Sequence, residues 1–117
     1  MYKRQMLHYA LPMLSCDSAI LVEDVISAVR VNDLRGWQGV ALLGTDLNDE
    51  KVKSLLDAGY HNVIIALDPD AHAKGLKLAN KYGFFFNSCR AVCLPKDPKD
   101  LPTMALSYGL FGGPPNE

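Results

Sequence analysis

Glu23, Asp68 and Asp70 stand at or just beyond the ends of two apolar runs, and they are the side chains of this sequence best suited to chemistry. Glu23 follows Ala19-Ile20-Leu21-Val22, and Asp68-Pro69-Asp70 follows Asn62-Val63-Ile64-Ile65-Ala66-Leu67. In extended geometry the side chains at i and i+2 point to one side, with Cα atoms roughly 7 Å apart, so both aspartates can approach one hard cation or two adjacent ones. If the two runs form neighbouring strands, Glu23 reaches the same crevice. Two carboxylates about 4 Å apart repel by about 4 kcal/mol at an effective dielectric near 20, so a group of three must protonate, pair with a cation or bind metal. Oxygen donors alone suit Mg²⁺ or Mn²⁺. A plainer role is open to the same residues. Asp-Pro-Asp after a strand serves as a turn and helix start with Asp70 as cap, and Glu23-Asp24 serves as a helix-start pair. Their joint position at the ends of two buried strands favours the metal site.

The other polar candidates carry weaker signals. His72 follows Asp70 by two residues and is accounted for by solvation alone. Lys74, Lys77 and Lys81 fall near one helical face, where they either contact a phosphate backbone or face water. Arg90 and Lys96 are candidates for positioning nucleic acid near the crevice. Cys16, Cys89 and Cys93 are odd in number, and the C-x-x-x-C spacing of the last two is a poor match to zinc patterns. They read as buried, inert thiols of a protein in a reducing compartment, the cytoplasm.

The elements that must position these residues alternate along the chain. Ala19–Val22 reads as a buried strand, and Asp24 opens a helix with Val25, Ile26, Val29 and Leu34 inward and Gly36 as its stop. Gly39–Leu43 is the second strand, ending at Gly44-Thr45. Asn48 or Asp46 caps the next helix, which carries Val52, Leu55 and Leu56 inward and stops at Gly59. Asn62–Leu67 is the third strand, and Pro69 ends its pairing. The third helix carries Leu76, Leu78, Ala79 and Tyr82 and stops at Gly83. Phe84 to Leu94 reads as a loop and fourth strand centred on Arg90-Ala91-Val92, and a short helix follows over about 101–106. Residues 109–117 read as a loose tail, and Met6–Leu11 as a candidate edge strand. Phe84-Phe85-Phe86 belongs either to the core or to an interface, and Trp37 either plugs the core edge or lies exposed. The expected fold is one α/β domain over 1–117, with a mostly parallel central sheet, helices on both faces and a core over about 19–101. In such sheets function collects beyond the carboxyl ends of the strands, where Glu23-Asp24, Gly44-Thr45 and Asp68-Pro69-Asp70 fall.

LVED at Leu21–Asp24, LLGT at Leu42–Thr45, ALDPDA at Ala66–Ala71 and LPKDPKDL at Leu94–Leu101 follow one another in an order that resembles the Toprim domain, closest to the phage-type DNA primases and primase-helicases. The resemblance implies a Rossmann-like Toprim fold. It makes Glu23 the catalytic glutamate, a general acid/base or metal ligand, and makes Asp68 and Asp70 metal ligands. It adds Asp97 as an acid near the metals after the fourth strand. It implies Mg²⁺ or Mn²⁺ bound to nucleotide phosphates, and attack by a 3′-hydroxyl in RNA-primer synthesis. Three positions depart from the pattern: Asp24 replaces a glycine, Ser27 an aspartate and Lys99 an acid.

The formal net charge of −1 is a poor footprint for a domain that grips nucleic acid unaided. No P-loop occurs and no apolar run is long enough to span a bilayer. The resemblance therefore implies a partial active site, a Mg²⁺-dependent nucleotidyltransferase only in company. DNA template and nucleotides would be held by partner domains, with a helicase or zinc-binding primase subunit as further partners. A stand-alone Toprim nuclease and a non-catalytic adaptor docking on replication proteins are the competing functions.

Overall fold

The computed structural model describes residues 7–9, 17–32 and 34–115; Cys16 and the flanks of the candidate edge strand lie outside them. Strands β1 (Leu7–Tyr9), β2 (Ser18–Val22), β3 (Gln38–Ala41), β4 (Asn62–Ile65) and β5 (Ser88–Ala91) form one sheet in the order β1-β3-β2-β4-β5. The four strands from β2 to β5 are parallel, and β1 adds an antiparallel edge beside β3. Helices α1 (Val25–Val31), α2 (Asp49–Asp57), α3 (His72–Tyr82) and α4 (Thr103–Phe111) cover the sheet.

The period-two alternation of the strands divides the core into two layers. Ala19, Leu21, Val40, Val63 and Ile65 face one side and pack with Val52 and Leu55 of α2 and Tyr82 of α3. Ile20, Val22, Ala41 and Ile64 face the other side and meet Ala28 and Val31 of α1 and Leu106 and Leu110 of α4. Both faces of β2 and β4 are therefore buried, which is why these runs are uninterrupted by polar residues. The fold is the expected Rossmann-like α/β architecture, consistent with a Toprim arrangement. Among the described residues no helix is long and apolar enough to cross a membrane.

Several local expectations are corrected. Helix α1 turns Ser27, Ala28 and Val31 inward, whereas Ile26 is 62% exposed and Val29 45%. The reason is close approach. A Cβ on Gly39 would sit 2.2 Å from the Ala28 carbonyl oxygen, so β3 needs glycine where the Ala28 turn of α1 crosses it. Leu34 is buried, but from a separate 3₁₀ turn after the helix. Leu76 faces outward, and Gly75 takes the inner position of α3 against Ile65 and Leu67. The last helix runs to Phe111, so Gly109–Phe111 belong to it and not to a tail. Beyond it, Gly113 O accepts from Ser107 Oγ and Pro114 O from Arg35 Nε. Trp37 packs its ring on Phe111 with centroids 5.4 Å apart. Phe86 is core, while Phe84 and Phe85 point outward. Cys93 is exposed and Cys89 half-buried; burial pushes the Cys89 thiol up to about 11, which keeps it inert.

Candidate functional site

Register brings the carboxyl ends of the parallel strands to one edge. Val22 stands opposite Ala41, Leu21 opposite Ile65, and Ile65 opposite Ala91. Past the strands, the Ala66 N–H donates to Leu21 O at 2.9 Å and the Val92 N–H to Ile65 O at 2.9 Å. Glu23 and Asp68 thus leave adjacent strands side by side. Glu23 Oε2 accepts the Asp68 backbone N–H at 3.0 Å, which fixes the carboxylate against the start of the turn.

Asp68 and Asp97 share one local design. Each precedes a proline that opens a 3₁₀ turn, Pro69–Ala71 in one case and Pro98–Asp100 in the other. A residue before proline is driven to extended backbone, and both comply, with φ/ψ of −56°/151° and −57°/143°. Their carbonyls close the turns, accepting from Ala71 N at 2.8 Å and Asp100 N at 2.9 Å. Burial, the Glu23 charge and then the Asp97 charge push the Asp68 carboxyl from 3.8 up to about 6, partly offset by Lys99. A hydrogen bond with the Asp97 carboxyl also favours the protonated form.

The structure gathers Glu23, Asp68 and Asp97, and leaves Asp70 apart. Asp70 lies exposed inside the 3₁₀ turn, not in the extended geometry that would align it with Asp68. It is absent from the charges that act on the Asp68 carboxyl. Nor does it cap α3, whose N-cap is Ala71 with no side-chain bond.

Two further members come into view. Lys99 Nζ lies 3.1 Å from Asp24 Oδ2 and 3.5 Å from Asp97 Oδ2. Asp24 also caps α1, accepting the Ser27 N–H at 2.8 Å. Burial opposes ionisation of Asp24, but the hydrogen bonds from Ser27 and Lys99 outweigh it and hold the carboxyl below its usual range. The sequence signalled the Asp24 cap, whereas nothing in it signalled the pairing of Asp24 with Lys99.

The neighbouring loop is held from beneath. Lys51 is buried and donates to Leu42 O at 2.9 Å and Asp46 O at 3.0 Å, anchoring the LLGT turn. Leu43 adopts φ 61°, a left-handed conformation costly for a branched side chain, and Gly44 follows at φ 140°. The Gly44 N–H donates to Glu23 O at 3.1 Å, so the strained turn holds the glutamate backbone. Beside Glu23, Val25, Ile26 and Leu43 line an open depression of about 590 Å³.

The candidate nucleic-acid cations divide. Lys74 pairs with Asp46 at 2.6 Å and donates to Thr45 Oγ1 at 3.0 Å, which places it beside the LLGT turn. Arg90 donates to Leu110 O at 2.6 Å and ties β5 to the end of α4. Lys96, Lys77 and Lys81 are exposed. His72 begins α3, with its backbone N–H bonded to Pro69 O.

Among the described residues no three His, Cys, Asp or Glu side chains are arranged to hold a metal ion as they stand. Glu23, Asp68 and Asp97 offer oxygen donors only, the kind that hard cations prefer, and burial with the Glu23 and Asp97 charges raises the Asp68 carboxyl to about 6. No protein-family model, curated protein or solved structure matches the chain.

Proposed function

We propose that this chain is a Toprim-type metal-binding module of a phage-type DNA primase, supporting Mg²⁺-dependent RNA-primer synthesis in the cytoplasm together with other domains or chains. The observation that carries the reading is the crowding of Glu23, Asp68 and Asp97 at the carboxyl edge of the sheet, which leaves Asp68 short of a counter-cation. Glu23, Asp68 and Asp97 would hold Mg²⁺ or Mn²⁺, with Asp70 at the rim. The ion would neutralise nucleotide phosphate charge as an attacking hydroxyl approaches. Glu23, fixed by the Asp68 N–H, is the residue placed to orient that group or to share the ion. Template and nucleotides would be gripped elsewhere, because the net charge of −1 does not attract a phosphate backbone.

The test is a titration of Mg²⁺ and Mn²⁺ followed by backbone NMR. Shifts centred on Glu23, Asp68 and Asp97 at millimolar metal are expected, and their absence would end the metal reading. Incubation of labelled DNA and RNA with the chain and Mn²⁺ separates the competing nuclease: cleavage abolished by Asp68→Asn and Glu23→Gln would replace primer synthesis with strand scission.

A further inference from the structure

A helix that lies on a protein surface normally sets a charged face against its buried stripe. Helix α4 does not. Thr103–Phe111 contains no Asp, Glu, Lys or Arg, whereas α1, α2 and α3 each carry at least one. Its inner side is Leu106, Ser107 and Leu110, all buried. Its outer side is Met104, Tyr108 and Phe111, spaced i, i+4 and i+7, a single apolar stripe about 10 Å long. Met104 is 55% exposed and Tyr108 53%. Trp37 backs the far end of the stripe, its ring 5.4 Å from that of Phe111. A continuous apolar stripe of this kind marks an interaction surface.

The two ends of α4 differ in charge. The Arg35 guanidinium lies 5.1 Å from the Phe111 ring and donates to Pro114 O, which puts a cation at the carboxyl end. Asp100 lies exposed at the end of the turn that leads into the amino end. Its neighbour Lys99 is taken up by Asp24 and Asp97. Neither Asp100 nor Arg35 belongs to an ion pair among the described residues. A second α4 laid antiparallel across a two-fold axis meets both needs at once. Tyr108, near the middle of the stripe, packs on its own counterpart, and Met104 meets Phe111 of the second copy. Arg35 of each copy then faces Asp100 of the other, and the helix dipoles run in opposition. An uncharged helix sets no like charges against each other in such a pair.

We propose that the Met104–Tyr108–Phe111 face of α4 is the contact between two copies of this chain, packed antiparallel with Arg35 opposite Asp100 at each end. The surface is small beside a standard interface, so the dimer is weak and reversible. This inference does not depend on the metal-binding reading.

Sedimentation velocity of the full chain over a hundredfold range of concentration tests it. Wild type should pass from monomer to dimer. Tyr108→Glu, which sets two carboxylates face to face at the axis, should weaken association about tenfold or more, and Met104→Glu should act in the same direction. Asp100→Lys, which sets like charges opposite each other, should weaken it about threefold. All three positions are exposed, and circular dichroism confirms that each variant is folded. A wild type that stays monomeric throughout, or that grows beyond the dimer, would overturn the proposal. So would a dimer that Tyr108→Glu leaves unchanged. A dimer sensitive to Tyr108→Glu but indifferent to Asp100→Lys would refute the antiparallel pairing and the proposal with it.

Discussion

Replacing Asp68 by Asn is expected to stabilise the metal-free protein at neutral pH and to abolish part of its pH dependence. In the fold, burial first and then the Glu23 and Asp97 charges raise the Asp68 carboxyl from 3.8 to about 6. Such a shift, fully expressed, makes the ionised side chain cost the native state about 3 kcal/mol relative to the unfolded chain. The carboxyl is only half-buried, and solvent screening reduces the expected cost to about 1 kcal/mol. The sign follows from proton counting. Between about pH 4 and pH 6 the native state binds the Asp68 proton and the unfolded chain has lost it, so this group's contribution falls as pH rises through that window. Below the window both states are protonated, and above it both are ionised. Asparagine carries no proton equilibrium and still offers an amide hydrogen to the Asp97 carboxylate. Urea unfolding of wild type and Asp68→Asn from pH 4 to 8, without divalent ions, measures the difference directly. The variant should be about 1 kcal/mol more stable at pH 7, a rise in Tm of about 3–6 °C, and the two proteins should converge near pH 4. A variant less stable than wild type at pH 7, or two parallel pH profiles, would show that Asp68 is not crowded by like charge and would remove the main support for the metal site.

Substitutions at three other positions probe the scaffold. Gly39→Ala should destabilise by about 3 kcal/mol or more, because its Cβ would lie 2.2 Å from the Ala28 carbonyl oxygen and α1 would have to move; thermal unfolding reads this. Lys51→Met should cost about 2 kcal/mol by stranding the Leu42 and Asp46 carbonyls, and hydrogen exchange at Gly44 should accelerate as the LLGT turn loosens. Asp24→Ala should cost about 1 kcal/mol through loss of the α1 cap. Asp24→Asn keeps the cap while losing the Lys99 ion pair, so its stability should stay near wild type with a weaker dependence on salt.

Much of the scaffold was legible because its signals are local. The runs of β2 and β4 are buried on both faces, so their apolar composition is visible without any partner. Asn48 caps α2 by accepting the Lys51 N–H at 2.8 Å, and Gly59 ends that helix at φ 95°, as residue type alone suggests. The inner face of α1 was not legible, because it is set by the close approach of the Ala28 backbone to Gly39, which lies on another element. Periodicity favoured the bulkier Ile26 and Val29, which the close crossing turns outward. The tail was misjudged for a similar reason. Glycine and proline composition signals looseness, but Arg35 and Trp37, from the far side of the sequence, hold Pro114 and Phe111.

The site divides along the same line. Asp68 and Asp70 are two apart, and an extended segment would align them; the proline between them instead starts a 3₁₀ turn at once, which leaves Asp68 in the crevice and carries Asp70 out. Asp97, on the other hand, reaches the crevice because it repeats the Asp-Pro turn of Asp68 from the end of the next strand. Periodicity and spacing gave no sign of this, and only the Toprim resemblance pointed to it. Asp24 and Lys99 looked like two separate losses from that pattern, a missing glycine and a missing acid. In the fold the two side chains form one ion pair. The Asp24 carboxylate and the Lys99 ammonium meet at 3.1 Å, so neither charge stands alone beside Glu23 and Asp97.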